Sequence, residues 1–145
     1  MAKPLIEDVL IRCDPVVVFD LLADVRNEAR WSKGVSSAEM RSDGPVGDGS
    51  TLVTVYRGME NDITLVEFDR PERLVVVGTN DRMDIDTSYA FTAQGEGTRV
   101  VVTTELRPKG LISVLSPLLR LFLRRELAAK HTTVKQACEA PPDPS

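Results

Sequence analysis

Two tyrosines and one glutamate are the residues of this chain best suited to act on another molecule. Tyr56 and Tyr89 each join an apolar ring to a hydroxyl. A buried phenol needs a partner and can offer a bound molecule one hydrogen bond. Glu126 falls, by helical phase, in the middle of the apolar arc of the last long segment, near Leu119 and Phe122, with Arg125 on the flank. A carboxylate there must find a partner or sit near an opening, because burying a lone charge is expensive. Turned toward a cavity, Glu126 or Tyr89 could move a proton as a general acid or base. The structural alternative for Glu126 is that Pro117 shifts the helical phase or that the helix overhangs its support.

Other chemistry is poorly provided for. His131, the single histidine, falls on the polar face with Arg120, Arg124 and Lys135 and reads as solvated, so no Ser/His/Asp triad has an inward base. One histidine without a second ligand at metal spacing makes no zinc site, and no metal or cofactor is expected. Asp84 and Asp86 share the outer face of one strand and read as solvated acids. Cys13 and Cys138 are too few and too distant in sequence for a disulfide framework, and read as reduced, packed thiols. Gly44-Pro-Val-Gly47-Asp-Gly49 loosely resembles a phosphate loop, but it opens no helix whose N-terminus could meet a phosphate. A net charge of −4 argues against a nucleic-acid partner. No signal-peptide pattern and no apolar run of membrane-spanning length is present, which gives a cytoplasmic expectation.

The elements that must position these residues follow from pattern. With 145 residues, 42% of them apolar, the chain can bury one core. Leu5 to Arg12 reads as a first strand. Asp14-Pro15 starts a short helix over Val16 to Ala23, and Asp24 caps a second that ends near Trp31. Strands follow over Val35 to Arg41, Thr51 to Arg57, Ile63 to Asp69 (a hairpin around Gly58-Met-Glu-Asn61), Leu74 to Val77, Met83 to Thr92 and Thr98 to Arg107. Met83, Ile85, Thr87, Tyr89 and Phe91 alternate onto one face. Short strands divided by glycine and proline turns, without helices between them, predict an antiparallel meander. Leu111 to Cys138 has helical period, with Leu111, Leu115, Leu118, Leu119, Phe122 and Ala129 on one broad face. Pro117 either kinks this helix or, with Ser116 as cap, restarts it. The chain reads as one α+β domain over 1–138, with 139–145 as a disordered, proline-rich tail.

This order is that of the helix-grip fold: a curved antiparallel sheet of about seven strands around a long C-terminal helix, with two short helices after the first strand. Asp14-Pro15-Val-Val-Val-Phe19, Leu22-Ala-Asp24, Trp31, Gly47-Asp-Gly49-Ser-Thr51, Val66-Glu-Phe-Asp69, Arg73-Leu74 and Gly97-Thr98-Arg-Val100 resemble landmarks of the SRPBCC (START-like) superfamily. More narrowly, they are similar to its polyketide cyclase/dehydrase and lipid-transport branch, from about Glu7 to Cys138. The resemblance implies a cavity between sheet and helix that takes an apolar ligand. With the orientation it implies, Val66, Phe68, Tyr89, Phe91, Val100, Val102 and Thr104 point inward and Leu115, Leu118 and Phe122 face them, with Trp31 at one end and Tyr56 as a second polar handle. Periodicity alone gives the same pattern for a solid core as for a cavity wall.

Three functions fit these features. One is a binding protein for a small lipid-, sterol- or polyketide-like ligand. Another is a cyclase or dehydratase in which Tyr89 or Glu126 moves protons. The third is a protein-interaction module with a filled interior. The chain holds only one tryptophan, two tyrosines and four phenylalanines, which favours space over filling. A monomer and a homodimer are both compatible with the sequence.

Overall fold

A computed structural model describes residues 4–110 and 116–139. Its centre is one antiparallel sheet with strand order β1-β7-β6-β5-β4-β3-β2. The strands are β1 (Leu5–Ile11), β2 (Val35–Met40), β3 (Thr51–Tyr56), β4 (Met59–Asp69), β5 (Arg73–Thr79), β6 (Met83–Gln94) and β7 (Gly97–Pro108). Among the described residues three helices accompany them: α1 (Pro15–Ala23), α2 (Glu28–Trp31) and α3 (Ser116–Glu139), with a 3-10 turn at Val25–Asn27. This is the α+β arrangement expected, with short helices after the first strand and a long helix last. The expected tail contributes Glu139 to the end of α3, and 140–145 lie outside the described residues.

α1 begins where Pro15 needs no N–H partner, and it buries Val18, Phe19, Leu22 and Ala23 on one side. Asp14 occupies the cap position, but its side chain makes no capping hydrogen bond. Asp24 does cap: its carboxylate accepts from the Arg26 backbone N–H at 3.1 Å and starts the 3-10 turn. Phe19 is fully buried and meets Phe68 and Phe91 edge-on, with centroids 5.0 and 5.3 Å away. Such ring pairs add about 0.5–1.5 kcal/mol each to the area they bury. With Trp31, Leu65, Leu74, Val100 and Val102 they form a closed core under α1 and α2.

Two strand details redirect side chains. The β3–β4 hairpin closes through Arg57-Gly58, both at positive φ (49° and 80°), with Tyr56 paired to Met59. That is the two-residue turn whose twist suits a hairpin. β4 therefore starts at Met59 rather than Ile63, and the parity of Tyr56 is settled. Further along, register slips between Leu65 and Glu67, so Val66 is an extra residue in β4. The bulge reverses the alternation: Ile63 and Leu65 face inward before it, and Phe68 does so after it. Val66 is 49% exposed, contrary to the inward orientation expected.

α3 packs against β1, α1 and α2, burying Leu123, Lys130, His131 and Val134. Pro117 is the second described residue of this helix. Its buried stripe is rotated by roughly one residue from the arc read off hydrophobicity. Leu118 is consequently 70% exposed and Phe122 40%, and His131 is buried rather than solvated. The reason is pairing: Glu126, Lys130 and His131 each meet an oppositely charged or hydrogen-bonding residue from a distant element.

Candidate ligand cavity

Beyond the aromatic core, the inner face of the sheet and α3 enclose a cavity of about 300 Å³. Strict alternation supplies its floor: Thr54 and Tyr56 from β3, Met59, Asn61 and Ile63 from β4, Val76 and Gly78 from β5, and Met83, Ile85, Thr87 and Tyr89 from β6. Leu119, Phe122, Leu123, Glu126, Leu127 and Lys130 of α3 cover it, and Leu22, Val25 and Glu28 close one end. Gly78 matters by lacking a side chain, since a Cβ there would come within 3.0 Å of Ile63 Cδ1. Phe122 lines the space while 40% exposed, so the cavity reaches the surface beside it.

At that mouth, Arg57 donates to Glu126 Oε1 at 3.0 Å and to the Tyr56 oxygen at 3.3 Å, and its guanidinium lies 5.0 Å above the Phe122 ring. The left-handed turn at Arg57 aims the side chain back over the opening. Burial raises the pKa of Tyr56 despite the nearby Arg57, which favours the neutral phenol. The Tyr56 ring lies against Gly34, where a Cβ would come within 2.4 Å of it.

The inner end holds a second polar cluster. Lys130 is buried; its ammonium pairs with Glu28 Oε1 and lies 3.4 Å from the Tyr89 oxygen. Ser32 donates to the other Glu28 oxygen at 3.2 Å. Burial alone would lower the lysine pKa, but the Glu28 carboxylate and Tyr89 outweigh it and hold Lys130 charged. Burial also raises the pKa of Tyr89, only partly offset by Lys130, so the phenol keeps its proton. Behind Tyr89, the His131 ring stands edge-on at 6.0 Å, with Nδ1 2.9 Å from Glu7 Oε1 and Nε2 buried without a partner among the described residues.

Of the residues expected to line a cavity, Tyr56, Tyr89, Phe122 and Glu126 are brought together there. Trp31, Phe68 and Phe91 belong to the aromatic core, and Val102 and Thr104 are buried away from the cavity wall. Val66 and Leu118 point to solvent, and Leu115 lies outside the described residues. Lys130 and Glu28 escape sequence reasoning because they lie 102 residues apart and only the fold brings them together. The only sequence signal was that Lys130 continues the Leu119, Leu123, Glu126 stripe. Asp84 and Asp86 sit on the outer face, paired with Lys109 and Arg107. Among the described residues no cluster of His, Cys, Asp or Glu could hold a metal, and no helix is long and apolar enough to cross a membrane.

Comparison with solved structures returns the same architecture. A START superfamily protein from Mycobacterium smegmatis superposes with a TM-score of 0.79 at 11% identity, over 95% of this chain and 98% of that one. The Zhui aromatase/cyclase from a Streptomyces species gives 0.76 at 15% identity, over 94% and 93%. Ginseng major latex-like protein 151 from Panax ginseng gives 0.70 at 14%, over 94% and 97%. At these identities the likeness shows the fold. Comparison with curated protein sequences gives no match. Residues 6–139 do match the sequence model of one family, and by that match, over nearly its whole length, the chain belongs to the polyketide cyclase/dehydrase and lipid transport family.

Proposed function

We infer that this protein is a single-domain binder of one small, mainly apolar molecule, held between the sheet and α3. The observation that supports this reading is the cavity of about 300 Å³, walled by Ile63, Val76, Ile85, Leu119 and Leu123 and open beside Phe122. Moving apolar surface from water into such a space is favourable by about 25 cal/mol per Å². The START-like and aromatase/cyclase neighbours are consistent with a lipid- or polyketide-like ligand. Native mass spectrometry of the purified protein, followed by organic extraction, tests it: a co-purifying apolar molecule is expected, and Thr87→Phe, which fills the floor, should lose it while remaining folded. A protein that carries nothing, and whose melting temperature ignores sterols, fatty acids and aromatic polyketides, would refute it.

A second reading, a cyclase or dehydratase on the same ligand class, is favoured by one observation: a charged lysine, a neutral phenol and a carboxylate converge at the inner end of the cavity. Turnover that disappears in Tyr89→Phe while ligand binding persists would establish it.

A further inference from the structure

The donors at the inner end of the cavity are not all used. A lysine ammonium has three N–H groups. Those of Lys130 serve Glu28 Oε1 and the Tyr89 oxygen, which leaves one without a partner among the described residues. Tyr89 receives a hydrogen bond from Lys130 through its oxygen, and its own O–H finds no acceptor among the described residues. Both side chains are buried, and both line the cavity. A buried donor without an acceptor is costly, so native structures supply a partner from protein, water or ligand. Here an ammonium and a phenol, in contact with each other, both border one apolar space.

The charge at this point restricts the partner. Lys130 is balanced by Glu28, and at the mouth Glu126 is balanced by Arg57. A ligand carboxylate at the inner end would bring an uncompensated negative charge beside Glu28, among buried side chains where it is weakly screened. A neutral oxygen acceptor adds no charge and takes both donors. An alcohol oxygen also has two lone pairs but brings a proton that needs an acceptor of its own, whereas a carbonyl oxygen has two lone pairs and no proton to place.

We propose that Lys130 and Tyr89 form a two-donor site for a neutral carbonyl oxygen, so that the ligand is an apolar ketone or quinone seated with its oxygen toward the inner end of the cavity. Glu28, held by Ser32, is a positioning residue that keeps the Lys130 ammonium beside the phenol. The proposal rests on the ligand-binding reading above and adds the chemical class of the ligand and its orientation.

Three bicyclic probes of similar size test it by titration calorimetry on the full chain: α-tetralone, tetralin, which lacks the oxygen, and 1-naphthoate, which carries a carboxylate. Wild type is expected to bind α-tetralone about tenfold more tightly than tetralin, as one hydrogen bond to a charged group would give, and 1-naphthoate more weakly than the ketone. Tyr89→Phe keeps the ring and the Lys130–Glu28 pair and removes one of the two donors, so the ratio of ketone to tetralin affinity, measured within the variant, should fall about threefold or more below the wild-type ratio. Equal binding of ketone and hydrocarbon by wild type, or a preference undiminished in Tyr89→Phe, would overturn the two-donor carbonyl site and leave the apolar cavity standing. Tighter binding of 1-naphthoate than of α-tetralone would overturn the charge argument. Failure of wild type to bind any of the three while an apolar molecule co-purifies would overturn this proposal alone, and the same failure in a protein that carries nothing and ignores sterols, fatty acids and aromatic polyketides would overturn the ligand-binding reading as well.

Discussion

Replacing Lys130 by methionine separates the electrostatic role of that residue from its packing. Methionine keeps most of the aliphatic stem and removes the ammonium. Glu28 then faces the cavity without its cation, and Tyr89 loses the donor to its oxygen. Removing one partner of a fully buried pair costs about 3–5 kcal/mol. The cost here should be smaller, because the Glu28 side chain is 20% exposed and Ser32 still donates to it at 3.2 Å. We expect a loss of about 2–3 kcal/mol in urea unfolding, which for a domain of this length lowers Tm by roughly 6–10 °C. Glu28→Gln alone should also destabilise, by leaving the ammonium unpaired. The double variant should be more stable than the sum of the single losses implies, with a coupling of about 1.5 kcal/mol or more. Because the folded state raises the lysine pKa, the contribution is complete below the ordinary lysine range and would decline only above it. The loss attributable to Lys130 should therefore be flat from about pH 6 to about pH 9. A loss below about 0.5 kcal/mol for Lys130→Met, or additive single and double variants, would show that the pair does not hold α3 to α2.

Three further outcomes are expected. Asp20 fastens α1 to Arg70 of the β4–β5 turn at 2.7 Å, and hydrogen bonding to that guanidinium lowers its pKa. Both side chains are about half exposed, so Asp20→Asn should cost no more than about 1 kcal/mol at pH 7. A depressed carboxylate pKa adds stability above the unfolded value and loses it as pH falls through the folded one, so the difference from wild type should close in acid denaturation series below about pH 4. Burial, with Cys13 nearby, pushes the Cys138 thiol up to about 12, so peptide mapping after iodoacetamide at pH 8 should show it alkylated about a thousandfold more slowly than a free cysteine, with full labelling in denaturant. Gly34→Ala would drive a methyl group into the Tyr56 ring; a loss of about 1–3 kcal/mol in thermal or urea unfolding is expected, and Gly34→Ala combined with Tyr56→Ala should recover much of it.

Much of the scaffold was legible in residue order. Strand alternation set which side of β6 carries Met83, Ile85, Thr87 and Tyr89, because side chains in a strand have a period of two whatever they pack against. Asp24 and Pro15 marked helix starts through local backbone chemistry, and the C-terminal helix followed from its period. Tertiary structure decided the rest, wherever a contact between distant segments outweighed a local rule. The extra residue at Val66 reverses alternation, and only the pairing of β4 with β5 reveals it. The face that α3 buries is set by Glu28, Glu7 and Arg57, which pair with Lys130, His131 and Glu126, and His131 is turned inward although helical phase places it on the polar face. The division of one apolar sheet face into a solid core around Phe19 and an open cavity beside Tyr89 depends on where α1 ends and how far α3 stands off. Hydrophobic pattern records that a residue leaves water, and only the fold decides whether it meets another side chain or an empty space.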